Sequence, residues 1–220
     1  MIKGAIFDVD GTILDSMAAW DDVATKYLKL IGIQAAPDLE ERICDMSFEE
    51  GAAFIKREYG LADSVKEIMA GASSVVESFY SNEVCLKDGA KDVLQWLSGQ
   101  NIKMVTATTG DRRLVDAAFR RNGILNYFEK IFTCAEVGVG KAQPDIYLQA
   151  AEYLGFQPEE VLVFEDAFYA AETAKKAGFH VIGVHDSRSE KGLQEMKKLC
   201  DMYCEKIDSC IGKLELAEVL

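Results

Sequence analysis

From about residue 88 onward, short apolar runs alternate with stretches of helical spacing, and this alternation is what most constrains the fold. Helix is expected over 90–98 before an apolar strand at Ile102–Thr106. Helix 111–122 precedes a strand around Ile131–Thr133, helix 145–154 precedes Val161–Phe164, and helix 168–177 precedes His180–Val184. Strands separated each time by a helix pair through crossovers, which makes the sheet parallel and doubly wound. One further strand, Ile2–Phe7, lies at the N-terminus. Between 17 and about 80 no strand-like run occurs. Trp20, Val23, Ala24, Tyr27, Leu28 and Ile31 instead share one face of a helix that ends at Gly32, and helical stretches follow near 39–58 and 62–80. A segment of that length must leave the sheet and return as a folded insertion. The expected architecture is α/β: a Rossmann-like, doubly wound parallel sheet core made of 1–16 and 83–220, with a helical domain, 17–82, inserted after the first strand.

Composition narrows the function classes. The chain has 220 residues, 24 Lys+Arg against 37 Asp+Glu, and a formal net charge of -13. With 49% hydrophobic residues and 10% aromatic, it can bury a core and is not disordered. The negative charge disfavours nucleic acid and anionic membrane surfaces as partners. No apolar stretch approaches the ~20 residues that cross a bilayer. MIKGAIFDVDGT lacks the layout of a signal peptide, so the chain reads as cytoplasmic. Six cysteines without a CxxC pair, and only His180 and His185 beside them, argue against a structural zinc site. Cys200 and Cys204, at i and i+4, read as small apolar helix residues. The tail 187–220 is core-like at Leu193, Met196 and Leu199 and offers no clear interface, so a monomer or weak homodimer is expected.

The residues that carry chemistry follow expected strands, where α/β sheets place their ligands. Asp8-Val9-Asp10-Gly11-Thr12 directly follows the first strand. On an extended chain Asp8 and Asp10 point the same way. Two convergent carboxylates suit a hard divalent cation, and they also suit a nucleophile beside a proton donor. An acidic Asx-type turn is the plainer alternative. Thr106, read as the end of the second strand, begins Thr106-Ala107-Thr108-Thr109-Gly110. Its hydroxyl and neighbouring backbone N–H groups, that of Ala107 among them, can hold phosphate oxygens. Thr109 and Asp111 read better as helix caps. Lys141 lies in Gly138-Val139-Gly140-Lys141, which is not a phosphate-binding GxxxxGK[ST] loop because Ala stands at 135 and 142. Lys141 can balance carboxylates and an incoming phosphate. Glu165-Asp166 follows the fourth strand and supplies either metal ligands or a helix cap.

The order of these four features resembles the haloacid dehalogenase superfamily over essentially the full length. The insertion resembles that superfamily's C1-type cap. Val163-Phe164-Glu165-Asp166-Ala167, followed by Ala170-Ala171-Glu172-Thr173-Ala174-Lys175-Lys176-Ala177-Gly178, is similar to the fourth motif of the β-phosphoglucomutase-like phosphatase branch. The resemblance implies a Mg²⁺-dependent phosphatase of a small phosphorylated metabolite, such as a sugar phosphate. It implies that Asp8 forms an aspartyl-phosphate and that Asp10 is the general acid/base and touches the metal through its carbonyl. Thr106 and Lys141 would bind the transferring group. Asp166 would ligate Mg²⁺, with Glu165 helping directly or through water.

Some positions depart from the family pattern. Ala142 replaces a usual Pro, and Ala167 and Ala170 replace a usual Ser and Gly. These change turn chemistry and remove no reactive group. Thr12 is the residue usual in phosphatase members, where phosphomutase relatives often carry Val. Trp20 stands where a mutase would carry His, and Cys44-Asp45-Met46-Ser47-Phe48-Glu49 lacks the mutase Arg. Lys56 and Arg57 could serve a phosphomutase or form a solvated face. A phosphomutase, and a binding protein that keeps only the fold, remain the alternatives. The resemblance disfavours a true dehalogenase, which lacks the second Asp that Asp10 supplies. The inserted domain is expected to close over the site, with hinges near Asp15-Ser16 and Glu83–Asp88. Trp20, Met46 and Phe48 are either substrate-facing or part of the cap core.

Overall fold

The computed structural model describes residues 1–17, 22–44, 46–187 and 192–216. The chain divides into two compact units, Met1–Asp15 with Cys85–Leu220, and Ser16–Val84.

The first unit is built on a six-stranded sheet in the order β3-β2-β1-β4-β5-β6. Its strands are β1 (Gly4–Phe7), β2 (Lys103–Thr108), β3 (Phe128–Thr133), β4 (Val161–Glu165), β5 (His180–Val184) and β6 (Met202–Cys204). Every neighbouring pair is parallel. Helices α5 (Ala90–Gly99), α6 (Arg112–Asn122), α7 (Cys134–Val137), α8 (Asp145–Leu154), α9 (Phe168–Lys176), α10 (Leu193–Leu199) and α11 (Cys210–Leu216) make the crossovers and the C-terminal end. The sheet is buried on both faces, so β1 and β4 read as continuous apolar runs instead of alternating ones. On one face Phe7 stacks on Phe164 with centroids 4.2 Å apart. On the other, Ile6, Val105 and Val163 pack with Ile146, Tyr147 and Ala150 of α8.

The chain builds outward from β1 through β2 to β3, then returns to β4 on the other side of β1. The strand order therefore reverses between β1 and β4, and the crevice at such a switch point is where α/β sheets bind ligands. Beyond β1 the backbone folds back at once. Ile13 and Leu14 donate to the Val9 carbonyl, and Gly11 donates to that of Leu14. Gly11 has φ +88, a conformation that favours glycine. The outgoing and returning chains are joined by Asp15 N–H to the Cys85 carbonyl (3.0 Å) and Lys87 N–H to the Ile13 carbonyl (2.8 Å).

The second unit is helical: α1 (Val23–Leu30), α2 (Leu39–Ile43), α3 (Phe48–Tyr59) and α4 (Val65–Asn82). The single helix expected near 39–58 is two, because Ser47 and Glu50 form a capping box that starts α3. A second box, Ser64 with Glu67, starts α4. Ala24, Leu28, Leu39 and Ile55 form the buried centre. Gly71 of α4 lets the Tyr27 ring approach, for a Cβ there would sit 2.3 Å from Tyr27 Cε2. Met46 and Phe48 are 37% and 44% exposed, so neither belongs to this core. Trp20 lies outside the described residues.

The C-terminal region corrects another expectation. Cys200 does not share a helix with Cys204: it follows α10, and Cys204 sits in β6, an edge strand of three residues. Among the described residues no helix is long and apolar enough to cross a membrane.

Candidate active site

The carboxyl ends of β1 and β4 bring Asp8, Glu165 and Asp166 together. Among the described residues these three offer carboxylate oxygens that all lie within 4.8 Å of one another. Lys141 reaches them from the turn before α8. Its ammonium is buried, donates to Asp8 Oδ1, and donates to Glu165 Oε1 at 2.6 Å. Tyr147, one turn into α8, donates its hydroxyl to the same Oε1 at 2.8 Å. The Ala167 N–H lies 3.3 Å from Glu165 Oε2. Glu165 is thus anchored at both oxygens.

The electrostatics follow from burial and sign. Burial alone would lower the Lys141 pKa, but the charges and hydrogen bonds of Asp8 and Glu165 outweigh it and hold it raised, so the ammonium stays charged. Burial raises the Glu165 pKa, and Lys141 opposes that rise. Burial, then the Glu165 carboxylate, pushes the Tyr147 phenol up, so it remains a donor. Asp8 and Glu165 share the single ammonium of Lys141, and the Asp166 carboxylate lies beside them. Asp8 Oδ2 is buried and has no hydrogen-bond partner among the described residues. An unpaired buried carboxylate oxygen is costly, and a hard oxygen-seeking cation is the group that would relieve it. The donor set therefore fits Mg²⁺.

The Asp10 carboxylate is not part of this trio. It lies against Gly110, where an added Cβ would sit 3.1 Å from Asp10 Oδ2 and 3.2 Å from Thr108 Oγ1. Gly11 packs on Asp166, and a Cβ there would sit 2.7 Å from Asp166 Oδ2. The Thr12 hydroxyl approaches Asp166 Oδ1 at 3.4 Å.

The second strand's end differs from expectation. β2 runs to Thr108, two residues beyond Thr106. Thr106 pairs with Phe7, inside the sheet, and its Oγ1 is buried with no partner among the described residues. Ala107 and Thr108 continue β2 beyond the last residue paired with β1. Thr108 also accepts the Gly110 N–H at 2.9 Å. Thr108 is the last residue of β2, and the Thr106 and Thr108 side chains are both fully buried. Asp111 caps α6 through the Arg113 N–H, as its sequence position suggests.

Tyr147 was not visible as a site residue in the sequence. It occupies a buried α8 position among Ile146, Ala150, Ala151 and Leu154, where an aromatic reads as core. The available signal was chemical, since a buried tyrosine hydroxyl needs a partner.

A parallel α/β sheet with acids at its switch point and a buried lysine beside them defines a hydrolase of the haloacid dehalogenase type. A profile of the haloacid dehalogenase-like hydrolase family matches residues 2–178, and the chain belongs to that family. The chain is 28% identical to the Phosphorylated carbohydrates phosphatase of Thermotoga maritima over 196 residues, 88% of this chain and 91% of that one. It is 29% identical to Hexitol phosphatase A of Escherichia coli over 205 residues, 88% of each. Among solved structures, it superposes with a TM-score of 0.85 on a Thermotoga maritima chain described as a beta-phosphoglucomutase, at 27% identity and with both chains fully covered.

Proposed function

We propose that the protein is a Mg²⁺-dependent phosphatase of a small phosphorylated carbohydrate, acting through an aspartyl-phosphate on Asp8. The observation that carries this reading is the buried ammonium of Lys141 shared by Asp8 and Glu165, beside Asp166, at the switch point of the sheet. Names of relatives that act on phosphorylated carbohydrates and hexitols support the substrate class.

Lys141 holds the Asp8 carboxylate through Oδ1 and so orients it for attack on phosphorus. As the alcohol leaves, Asp10 gives its oxygen a proton. Asp10 then takes a proton from the water that attacks the phospho-aspartate, which releases inorganic phosphate and restores Asp8. Thr108, in place of Thr106, orients the phosphoryl oxygens, together with the N–H groups around Ala107. Lys141 neutralises charge on the transferring group, and Glu165, held by Tyr147, keeps Lys141 in place. Asp8, Asp166 and the Asp10 carbonyl would hold Mg²⁺, with Glu165 beside them; when bound, the cation supplies countercharge to the phosphoryl oxygens. The Ser16–Val84 unit serves as the cap.

Hydrolysis is favoured over phosphomutation by how Lys56, Arg57 and Arg42 of the cap are used. A mutase needs basic groups for a second phosphate. Lys56 instead donates to the carbonyls of Leu61 (3.0 Å) and Ala62 (3.2 Å) behind α3. Arg57 lies over the Phe54 ring, and Arg42 pairs with Glu58 at 2.9 Å.

The test is phosphate release from hexose, hexitol and glycerol phosphates and an aryl phosphate, with Mg²⁺, with EDTA, and with Asp8→Asn. Release that EDTA and Asp8→Asn both abolish is expected. Isomerisation of a hexose 1-phosphate without release would turn the reading to a mutase, and silence on every compound would overturn it.

A further inference from the structure

We infer that Lys87 is a positioning residue for this site, an inference that rests on the phosphatase reading. Lys87 stands where the chain re-enters the core, just before α5, and its own N–H is fixed on the Ile13 carbonyl. Its ammonium donates to the carbonyls of Gly11 (2.7 Å) and His185 (2.6 Å) and to Asp186 Oδ2 (2.9 Å). An ammonium has three N–H donors, and all three are used. The acceptors belong to two loops at the carboxyl ends of β1 and β5, which are not neighbours in the sheet. Asp186 is 7% exposed, so the pair is largely shielded from solvent competition.

The Gly11 carbonyl is the acceptor that matters for chemistry. It lies in the turn between Asp10 and Thr12, whose Gly11 sits at φ +88. That turn carries the proposed acid/base on one side. On the other it packs directly on Asp166, with no room for a Cβ at Gly11. Rotation of the Gly11–Thr12 peptide would therefore shift Asp10 and Asp166 relative to each other. Lys87 blocks that rotation by tying the carbonyl to the β5 loop. The charge of Asp186 compensates the ammonium, so the tie does not strand an isolated buried charge. Lys87 touches no substrate and acts through the Asp10–Thr12 turn.

Two variants separate positioning from bulk stability. Lys87→Met removes all three bonds. Asp186→Asn weakens the ion pair but leaves the ammonium on the Gly11 carbonyl. At a temperature where both are folded by circular dichroism, Lys87→Met is expected to lower kcat by roughly 10- to 100-fold with KM nearly unchanged, the size expected for small misplacement of reacting groups. Asp186→Asn is expected to keep kcat close to wild type while losing thermal stability. Hydrogen exchange of the peptide 8–14 should quicken in Lys87→Met alone. If Lys87→Met does not fold, Lys87→Gln, which keeps a neutral donor, is held to the same criteria. Wild-type kcat in the Lys87 variant, equal kcat losses in both variants, or unchanged exchange over 8–14 would each overturn the inference, the last whether or not the protein proves active. A wild-type enzyme that releases no phosphate would overturn the phosphatase reading first, and the catalytic role of Lys87 with it.

Discussion

Tyr147→Phe removes one oxygen and nothing else from the centre of the molecule. Tyr147 is fully buried, and its hydroxyl donates to Glu165 Oε1 at 2.8 Å. Phenylalanine fills the same volume, so no cavity term enters. What is lost is one hydrogen bond to a charged acceptor, about 1.5–3 kcal/mol. For a chain of this size, about 2–4 °C of melting temperature accompanies each kcal/mol, so the midpoint should fall by roughly 3–12 °C. Glu165 keeps Lys141 and the more distant Ala167 N–H, so the site loosens without losing its charge balance. The turnover number is expected to drop by a few-fold to about tenfold, since Lys141 is then held by a less ordered carboxylate. Tyr153→Phe is the control: that side chain is 49% exposed, and its loss should change stability by less than about 0.5 kcal/mol. Thermal denaturation in EDTA reads stability, and phosphate release with Mg²⁺ reads activity. A midpoint within 1 °C of wild type, with unchanged turnover, would refute the claim that the phenol anchors Glu165.

Three further outcomes are expected. Thr108→Val should lower kcat/KM by about 100-fold, whereas Thr106→Val should leave activity intact and cost little or even stabilise, because it removes a buried hydroxyl that has no partner among the described residues; steady-state kinetics on both variants decides which hydroxyl meets phosphate. Gly11→Ala should lose Mg²⁺ affinity measured by calorimetry, and about 1–3 kcal/mol of stability, since alanine resists φ +88 and its Cβ meets Asp166. Burial alone would raise the Asp201 pKa, but hydrogen bonds from Lys175 and the Val181 N–H outweigh it and hold it below the ordinary 3.8. A depressed folded-state pKa gives stability that is present above pH 4 and lost as pH falls through the folded value, so Asp201→Asn should be less stable than wild type at pH 7 and should converge with it in urea melts near pH 3.

How much of this was legible in the sequence depended on which physical signal fixed each element. Strands buried on both faces announce themselves as apolar runs, which is why His180–Val184 is the same five residues in sequence and structure. α8 at 145–154 was equally legible, with Pro144 before it and Gly155 at positive φ after it. The edge strand β6 was not. It has three residues, gains only one neighbour, and its Cys204 looks like a helix position when read at i+4 from Cys200. The helical insertion was visible as an absence of strand patterning. The break between α2 and α3 was hidden because the capping box of Ser47 interrupts a pattern whose polar residues look continuous.

The site shows the same division more sharply. Asp8, Glu165 and Asp166 converge because they follow β1 and β4, the strands that flank the switch point, and that much followed from chain order; Lys141 comes in from the turn before α8. Thr106 against Thr108 did not follow from chain order. Threonine favours strands and also caps helices, so Thr106-Ala107-Thr108-Thr109 carries no internal mark of where the strand stops. The stop is set by neighbours: Thr106 lies level with Phe7 and with Ile131, and the ladder to β3 continues until Thr108 meets Thr133. Side chains alternate along a strand, so two residues of error keep the side chain on the same face and move it about 7 Å along the sheet. Both side chains are fully buried, so exposure does not tell the two hydroxyls apart, and the kinetics of the two valine variants does. Lys87 and Tyr147 were illegible for a related reason: their partners are a backbone carbonyl 76 residues earlier and a carboxylate 18 residues later. Local spacing names the groups that react. The groups that hold them in place become visible only when the sheet has brought the loops together.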